Sequence, residues 1–224
     1  MPASYGRTPL FRDRRHAGQI LAEHLRQYAD RDDVIVLALP RGGVPVAYEV
    51  ATALHLPLDV FVVRKLGVPG FKELAMGALA SGGVQVLNQD VVSQIPNAEQ
   101  WIAHVANEER AELERREALY RENRPRPDLR GKTVILIDDG LATGATMRAA
   151  ARALKQQGVA RCVVAVPVAS PETCAELRDE VDETVCAFTP ESFAGVGQFY
   201  EDFSQTSDDE VRRLLAQAAK QRQP

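Results

Sequence analysis

Apolar and polar residues follow one another along this chain in two patterns, one typical of buried strands and one typical of amphipathic helices. Short apolar runs predict strands at residues 34–39, 59–63, 84–87, 134–137, 162–168 and 185–188. Apolar residues at three- and four-residue spacing predict helices at residues 14–28, 44–54, 97–123, 171–180 and 207–219, and another from about Met147 to Gly158. Because strands alternate with helices, we predict an α/β fold with a mostly parallel sheet flanked by helices.

Residues that can accept free backbone amides stand at the start of several predicted helices. Asp13 and Ser170 each precede a helical pattern as N-cap residues, the latter followed by proline. The pairs Asn97 with Gln100 and Ser207 with Glu210 have the spacing of a capping box. These signals predict the first turn of four helices.

Length and composition favour a single domain. The chain has 224 residues, of which 45% are hydrophobic and 26% are charged, enough to bury one sizeable core. We therefore predict one domain over residues 1–224, with its core at about 34–203. The highly charged helix at about 97–124 is interpreted as an insertion that covers the site or contributes to a homodimer. A C-terminal helix is predicted at about 207–219.

Charge and cysteine content limit the classes of partner. The formal net charge is −4, which does not favour nucleic-acid binding. No signal peptide and no apolar run of membrane-spanning length is evident, so we expect a cytoplasmic protein with no membrane or nucleic-acid partner. Cys162, Cys174 and Cys186 lack metal-like spacing. We expect Cys162 and Cys186 to be reduced core residues.

The segment from Val134 to Met147 contains the strongest candidate chemistry. An apolar strand ends in the adjacent carboxylates Asp138 and Asp139, which can accept hydrogen bonds from vicinal hydroxyls, directly or through a hydrated divalent cation. Small residues follow, with Thr143 and Thr146 as hydroxyl donors, before a helix begins. Loop amides and a helix N-terminus together form a phosphate cradle. The segment therefore predicts a site for a sugar phosphate.

This segment resembles the phosphoribosyl pyrophosphate (PRPP) signature of the type I phosphoribosyltransferases. The resemblance implies that Asp138 and Asp139 hold the ribose 2- and 3-hydroxyls and act as ligands toward Mg²⁺. It implies that the loop binds the 5-phosphate through Ala142, Thr143, Gly144, Ala145 and Thr146. The fold implied is the type I phosphoribosyltransferase fold, with a helical insertion and a C-terminal hood-like segment.

A second glycine-bearing turn follows the first predicted strand. Arg41, Gly42 and Gly43 stand between that strand and a helix, where backbone amides and one guanidinium can face an anion. The family resemblance would make this turn the diphosphate loop. In isolation, glycine turns after strands are common.

A basic pair, Arg64 and Lys65, follows the predicted strand at 59–63. In the family such a pair opens a mobile catalytic loop, which here would span residues 66–83 and contain several glycines. Lys72 and Glu73 could act within that loop, and we include Glu73 with Arg64 and Lys65 among the candidate catalytic residues. The alternative is that these side chains form ordinary solvated surface charge.

The aromatic tail at residues 193–203 has two interpretations. Phe193, Val196 and Tyr200 could form a wall against a nucleobase, since the segment resembles the one that covers the base in the 6-oxopurine branch. The same residues, with Phe203, could instead be a small satellite core that packs the C-terminal helix.

The acceptor side departs from two known branches. The 6-oxopurine branch has an aspartate in the phosphate loop, at the position that Ala142 occupies here. The adenine branch has a glutamate in its mobile loop, where this chain has Ala75. The leading hypothesis is a Mg²⁺-dependent phosphoribosyltransferase that moves the 5-phosphoribosyl group from PRPP to a nucleobase or related acceptor, releasing diphosphate. The alternatives are a non-catalytic PRPP- or nucleotide-binding regulator and a PRPP or ribose-phosphate hydrolase.

Overall fold

The computed structural model describes residues 9–122 and 124–221, apart from the side chains of Lys72 and Glu73. The strands are β1 (Val34–Ala38), β2 (Leu58–Val60), β3 (Val63–Val68), β4 (Phe71–Ala80), β5 (Val84–Leu87), β6 (Thr133–Ile137), β7 (Arg161–Val168) and β8 (Glu183–Phe188). The α-helices are α1 (Arg14–Glu23), α2 (Gly43–Ala53), α3 (Gln89–Val92), α4 (Ala98–Arg121), α5 (Ala145–Gln156), α6 (Pro171–Arg178) and α7 (Asp208–Gln221).

A parallel sheet with the strand order β2-β1-β6-β7-β8 forms the centre of the fold. Strands β1 and β6 are buried along their full length, because helices cover both faces of the sheet. One apolar cluster joins one face to α2 and α7, and a second joins the other face to α5 and α6. The predicted α/β fold with a mostly parallel sheet is confirmed.

Parallel pairing brings the loops after β1 and β6 together. Val34 to Ala38 pair in register with Thr133 to Ile137, so the two strands end at the same edge. This edge carries both glycine-bearing loops that the sequence singles out. The neighbouring end of β7 joins it through a bridge between Leu141 and Ala169.

The glycine-rich segment at 66–83 is not the loop that the sequence predicts, and this prediction is wrong. Strands β3, β4 and β5 form a separate antiparallel sheet, whose first turn has Gly70 at a φ of 83°. Gly77 lies in the middle of β4, where a Cβ would collide with the backbone of Val86. This glycine therefore permits close strand pairing and does not indicate a flexible loop.

The helix-start signals differ in their outcome. The side chains of Asp13 and Ser170 accept the amides of His16 and Thr173, as predicted. The side chain of Asn97 makes no such bond, because this residue adopts a left-handed conformation. The predicted capping box at α4 is therefore wrong.

One cysteine prediction is also wrong. Cys186 on β8 forms a disulfide with Cys174 on α6, across a Cα–Cα distance of 6.6 Å that lies within the usual range. Cys162 is a free, buried cysteine, and burial raises the pKa of its thiol to about 12. Sequence spacing could not reveal the pairing, because it depends on how α6 packs on the sheet.

None of the helices within the described residues is long and apolar enough to cross a membrane.

Candidate functional site

The turn after β1 and the acidic pair after β6 are packed directly against each other. A Cβ at Gly42 would overlap the carboxylate of Asp139, and a Cβ at Gly43 would lie 2.7 Å from the Ile137 carbonyl oxygen. Any larger residue at these two positions would therefore displace the acidic pair. The predicted diphosphate loop and the predicted ribose-binding pair form one site.

The loop from Ala142 to Met147 presents free backbone amides. Within the described residues, none of these amides donates to a backbone or side-chain acceptor. Gly144 is buried with a φ of 66°, while Ala142, Thr143, Ala145 and Thr146 are exposed. An exposed row of unpaired amides at a helix N-terminus is an anion-binding arrangement.

The carbonyl groups of this loop are held by two side chains that sequence reasoning missed. The Thr173 hydroxyl donates to the Ala142 carbonyl at 2.6 Å, and the Arg148 guanidinium donates to the Thr143 carbonyl at 2.8 Å. Because a peptide's N–H points opposite to its C=O, fixing these carbonyls directs the following amides away from the protein. Thr173 and Arg148 therefore shape the loop, although neither lies in the signature.

The two adjacent carboxylates each use one oxygen within the protein. Asp138 Oδ1 accepts the amide of Asp139 at 2.8 Å, and Asp139 Oδ2 accepts Arg14 Nε at 2.8 Å. Among the described residues, no N–H or hydroxyl group donates to Asp138 Oδ2 or Asp139 Oδ1, and the two carboxyl groups lie close enough to share a proton when one is protonated. The pair therefore offers one oxygen from each residue to a ligand.

Burial and mutual repulsion disfavour the charged form of this pair. Burial, followed by the charge of Asp139, raises the pKa of Asp138 well above its usual range. Burial also raises the pKa of Asp139, although the charge and hydrogen bond of Arg14 oppose that shift. A ligand that brings cations or hydroxyl donors would relieve this destabilised arrangement.

The carboxylate oxygens of Asp138 and Asp139 fit a magnesium ion that takes most of its ligands from water and substrate. Across the described residues, no group of three or more His, Cys, Asp or Glu side chains could enclose a metal. Mg²⁺ is commonly bound by one or two carboxylates together with waters and substrate phosphates. Asp138 and Asp139, with one free oxygen each, meet that requirement when a phosphorylated ligand is present.

The predicted cations contact different parts of the fold. Arg41 lies 3.8 Å from Asp208 at the start of α7. Arg64 Nε donates to Glu109 on α4 at 2.6 Å. Arg64 and Lys65 both border a cavity of about 540 Å³ between β3 and α4, and their joint catalytic role stays a prediction. Lys65 is exposed and borders another cavity, of about 400 Å³, that also reaches Thr146. The side chain of Glu73 lies outside the described residues.

The aromatic tail packs mainly into a satellite core, whose other described members come from the segment before α1, from α1 and from β7, and not from the C-terminal helix that the sequence predicts. Tyr200 is buried against Phe11, with ring centroids 5.1 Å apart, and its hydroxyl donates to the Asp139 carbonyl oxygen at 2.6 Å. Phe193 packs on Phe199 within the same cluster. Val196 approaches the site itself, since a Cβ at Gly140 would lie 2.5 Å from its Cγ1. A base-binding role for Phe193, Val196 and Tyr200 stays a prediction.

Comparison with known proteins agrees with this geometry. The family model described as "Phosphoribosyl transferase domain" matches residues 14–204. Two Mycobacterium tuberculosis proteins, each named "Putative phosphoribosyl transferase", are 47% identical over 209 residues, which is 93% of this chain and 47% of theirs. The chain thus spans about half the length of these curated relatives.

A solved structure is similar over nearly its whole length. The crystal structure of TT1426 from Thermus thermophilus superposes with a TM-score of 0.83 at 44% identity. The match covers 92% of this chain and 98% of that one. The fold described above is therefore shared by a relative of nearly the same extent.

Proposed function

Because this chain belongs to the phosphoribosyl transferase domain family, we propose that it moves the 5-phosphoribosyl group of PRPP to a nucleobase-like acceptor and releases diphosphate. One observation carries the proposal: the unpaired amides of Ala142 to Met147 lie in the loop that directly follows the carboxylates Asp138 and Asp139. A 5-phosphate and a vicinal diol on one ribose require these two elements side by side.

The donor would be bound by the residues at the edge of β1 and β6. The amides of the 142–147 loop, with the hydroxyls of Thr143 and Thr146, would bind the 5-phosphate. Asp138 Oδ2 and Asp139 Oδ1 would accept the ribose hydroxyls. The Gly42–Gly43 turn packs against the same carboxylates, which suits it to the diphosphate at C1.

Bound Mg²⁺ would supply charge neutralisation for the departing diphosphate. Asp138 and Asp139 would hold the ion through their free oxygens. Arg41 would add positive charge at the end of β1, and Lys65 would add it from the antiparallel sheet. Displacement at C1 places positive charge on the ribose, and the adjacent carboxylates would stabilise that charge in the transition state.

The acceptor would bind beside Gly140, where Val196 approaches the site. Phe193 and Tyr200 would then support Val196 through the satellite core. Ala142 and Ala75 replace the acidic residues of two family branches, so we infer that the acceptor does not depend on either acid for its proton. An acceptor whose nucleophilic nitrogen carries no proton meets this condition.

The test is release of diphosphate from PRPP and Mg²⁺ with a panel of purines, pyrimidines and small heterocyclic amines. We expect release that depends on one class of acceptor, together with formation of the matching nucleoside monophosphate. Release at the same rate without acceptor would instead identify a hydrolase. Absence of release with every acceptor would overturn the transferase proposal.

One observation favours a second candidate, a PRPP-binding protein without turnover. Two cations that were predicted to stabilise the departing diphosphate, Arg41 and Arg64, lie near carboxylates of α7 and α4. Their charge is therefore already balanced in part. Calorimetry that detects PRPP binding in the absence of any turnover would favour this candidate.

A further inference from the structure

Arg14 contacts the acidic pair although it lies 125 residues away in sequence. Its Nε donates to Asp139 Oδ2 at 2.8 Å, and its Nη1 donates to the Ser204 carbonyl at 2.6 Å. Its Cζ lies 4.0 Å from the centroid of the Phe203 ring, a distance typical of a cation–π contact. The Arg14 side chain is 11% exposed, and that of Asp139 is 14% exposed.

Backbone pairing fixes the position from which Arg14 acts. The Phe11 amide donates to the Phe199 carbonyl at 2.9 Å, and the Glu201 amide donates to the Phe11 carbonyl at 2.8 Å. The start of the described chain therefore runs along the tail, and the capped helix α1 begins at Arg14 itself. Arg14 from the first of these segments and Tyr200 from the second meet at Asp139, the former at its carboxylate and the latter at its backbone carbonyl.

The surroundings of Asp139 leave its carboxylate little freedom. Gly42 lies against it with no room for a Cβ, and the Tyr200 hydroxyl holds the Asp139 carbonyl. Arg14 engages Oδ2 and leaves Oδ1 open. Since an unheld carboxylate can rotate about its last bond, this contact fixes the orientation of the carboxylate plane and therefore the direction in which the second oxygen faces.

We propose that Arg14 is a positioning residue that presents Asp139 Oδ1 to the ribose diol of the donor. This inference rests on the proposed function, because it requires a ribose phosphate to bind at the acidic pair. Arg14 does not touch the 5-phosphate loop, whose carbonyls have other partners. Its contribution therefore concerns the sugar and not the phosphate.

The experiment compares two probes by calorimetry in the presence of Mg²⁺. Ribose 5-phosphate engages both the loop and the acidic pair, whereas inorganic phosphate engages the loop alone. In Arg14→Met we expect affinity for ribose 5-phosphate to fall about tenfold, the effect of losing one hydrogen bond to a charged group. Affinity for inorganic phosphate should change less than about twofold, since the loop is intact.

Two further variants separate positioning from a general structural effect. Arg14→Lys keeps the charge but has a single nitrogen in place of the two that contact Asp139 and Ser204, so we expect it to restore part of the lost ribose 5-phosphate affinity. Arg15→Met is the matched control, because Arg15 is exposed and lies 3.9 Å from Glu49; both affinities should match the wild type. Thermal unfolding of each variant verifies that it is folded.

The outcomes are distinct. Equal loss of both ligands in a folded Arg14→Met, or unchanged affinity for ribose 5-phosphate, would overturn the positioning role. If Arg14→Met does not fold, the same comparison in Arg14→Lys decides the question. Failure of the wild type to bind either ligand would overturn the proposed function itself.

Discussion

Two pairs of carboxylates in this molecule, one buried and one half-buried, differ in how many of their oxygens accept a hydrogen bond. Asp59 on β2 and Glu117 on α4 surround Arg121, whose guanidinium donates to both at 2.9 Å. Their remaining oxygens accept the Val60 amide at 2.7 Å and the guanidinium of Arg126. Every oxygen has a donor, and two cations balance two anions.

The pair Asp138 and Asp139 has one cation, Arg14, and one free oxygen on each residue among the described contacts. The first pair joins α4 to the edge of the sheet and is complete without a ligand. The second pair is complete only when a ligand adds hydrogen-bond donors and positive charge. The candidate site thus differs from a structural ion network because two of its carboxylate oxygens accept no N–H or hydroxyl hydrogen bond from the described residues.

The largest expected effect comes from removing Arg121. Arg121→Met would leave Asp59 and Glu117 buried with one cation fewer. Because breaking a buried ion pair leaves an uncompensated charge, we expect a loss of about 3–5 kcal/mol in unfolding free energy. Urea denaturation measures this loss, and a value within about 0.5 kcal/mol of wild type, the level of an ordinary surface change, would contradict the structural assignment.

Asp138→Asn should raise stability and strongly lower activity with PRPP. The asparagine oxygen can still accept the Asp139 amide, while the repulsion between the carboxylates is removed. We expect the ligand-free protein to gain about 1 kcal/mol and kcat/KM for PRPP to fall about 100-fold. Denaturant titration and the diphosphate assay measure the two quantities. A variant that is both less stable and fully active would show that the pair is structural.

Gly42→Ala tests the contact between the two loops of the site. Gly42 has a φ of −58°, so alanine is conformationally allowed and only the overlap with Asp139 matters. We expect affinity for ribose 5-phosphate to fall about tenfold, as for loss of a charged hydrogen bond. Gly195→Ala is the matched control, since a Cβ there meets nothing within 4 Å. Equal affinities of the two variants in calorimetry would refute the close packing of the loops.

The smallest expected effect is the contribution of Glu117 to the pH dependence of stability. Burial raises the pKa of Glu117, but hydrogen bonds from Ser81 and Arg121 outweigh it and lower the pKa overall. A lowered folded pKa gives stability that is full above the unfolded value of about 4.3 and is lost as pH falls through the folded pKa. Glu117→Gln should therefore cost about 1 kcal/mol at pH 7, and the difference should shrink in acid. Melting curves of both proteins across this pH range would reveal a constant gap if the prediction is wrong.

The fold was predictable because its signals are local. Apolar runs, helical spacing and the caps at Asp13 and Ser170 are properties of neighbouring residues, and most of them led to an element close to the observed one. The apolar run at 59–63 is an exception, because β2 ends at Val60 and β3 begins at Val63 in a different sheet.

The segment at 66–83 misled because glycines such as Gly77 serve close strand pairing as well as loops. Strands β3, β4 and β5 pair with their immediate neighbours in sequence, through short turns at residues 69–70 and 81–83. These turns were interpreted as part of a loop, so the hairpins were missed.

The site was predictable only in part. The Val134–Met147 segment predicted an acidic pair followed by a loop and a helix start, and the structure has these elements at the end of β6. Thr173, Arg148 and Arg14 were missed, because single polar residues in helices carry no signal of their own. The aromatic tail left two interpretations open, since the same residues can contact a ligand or a core.

By itself, the sequence determined the alternating strands and helices of the parallel sheet, the acidic pair and the amide-bearing loop, since each arises from contiguous residues. The tertiary structure decided which atoms of these groups are free. In the folded chain Cys174 forms a disulfide with Cys186, Arg64 donates to Glu109 on α4, and Arg14 donates to Asp139. The physical reason is that charge balance and hydrogen-bond satisfaction are set by neighbours in space, and strand pairing and helix packing select those neighbours from distant parts of the chain.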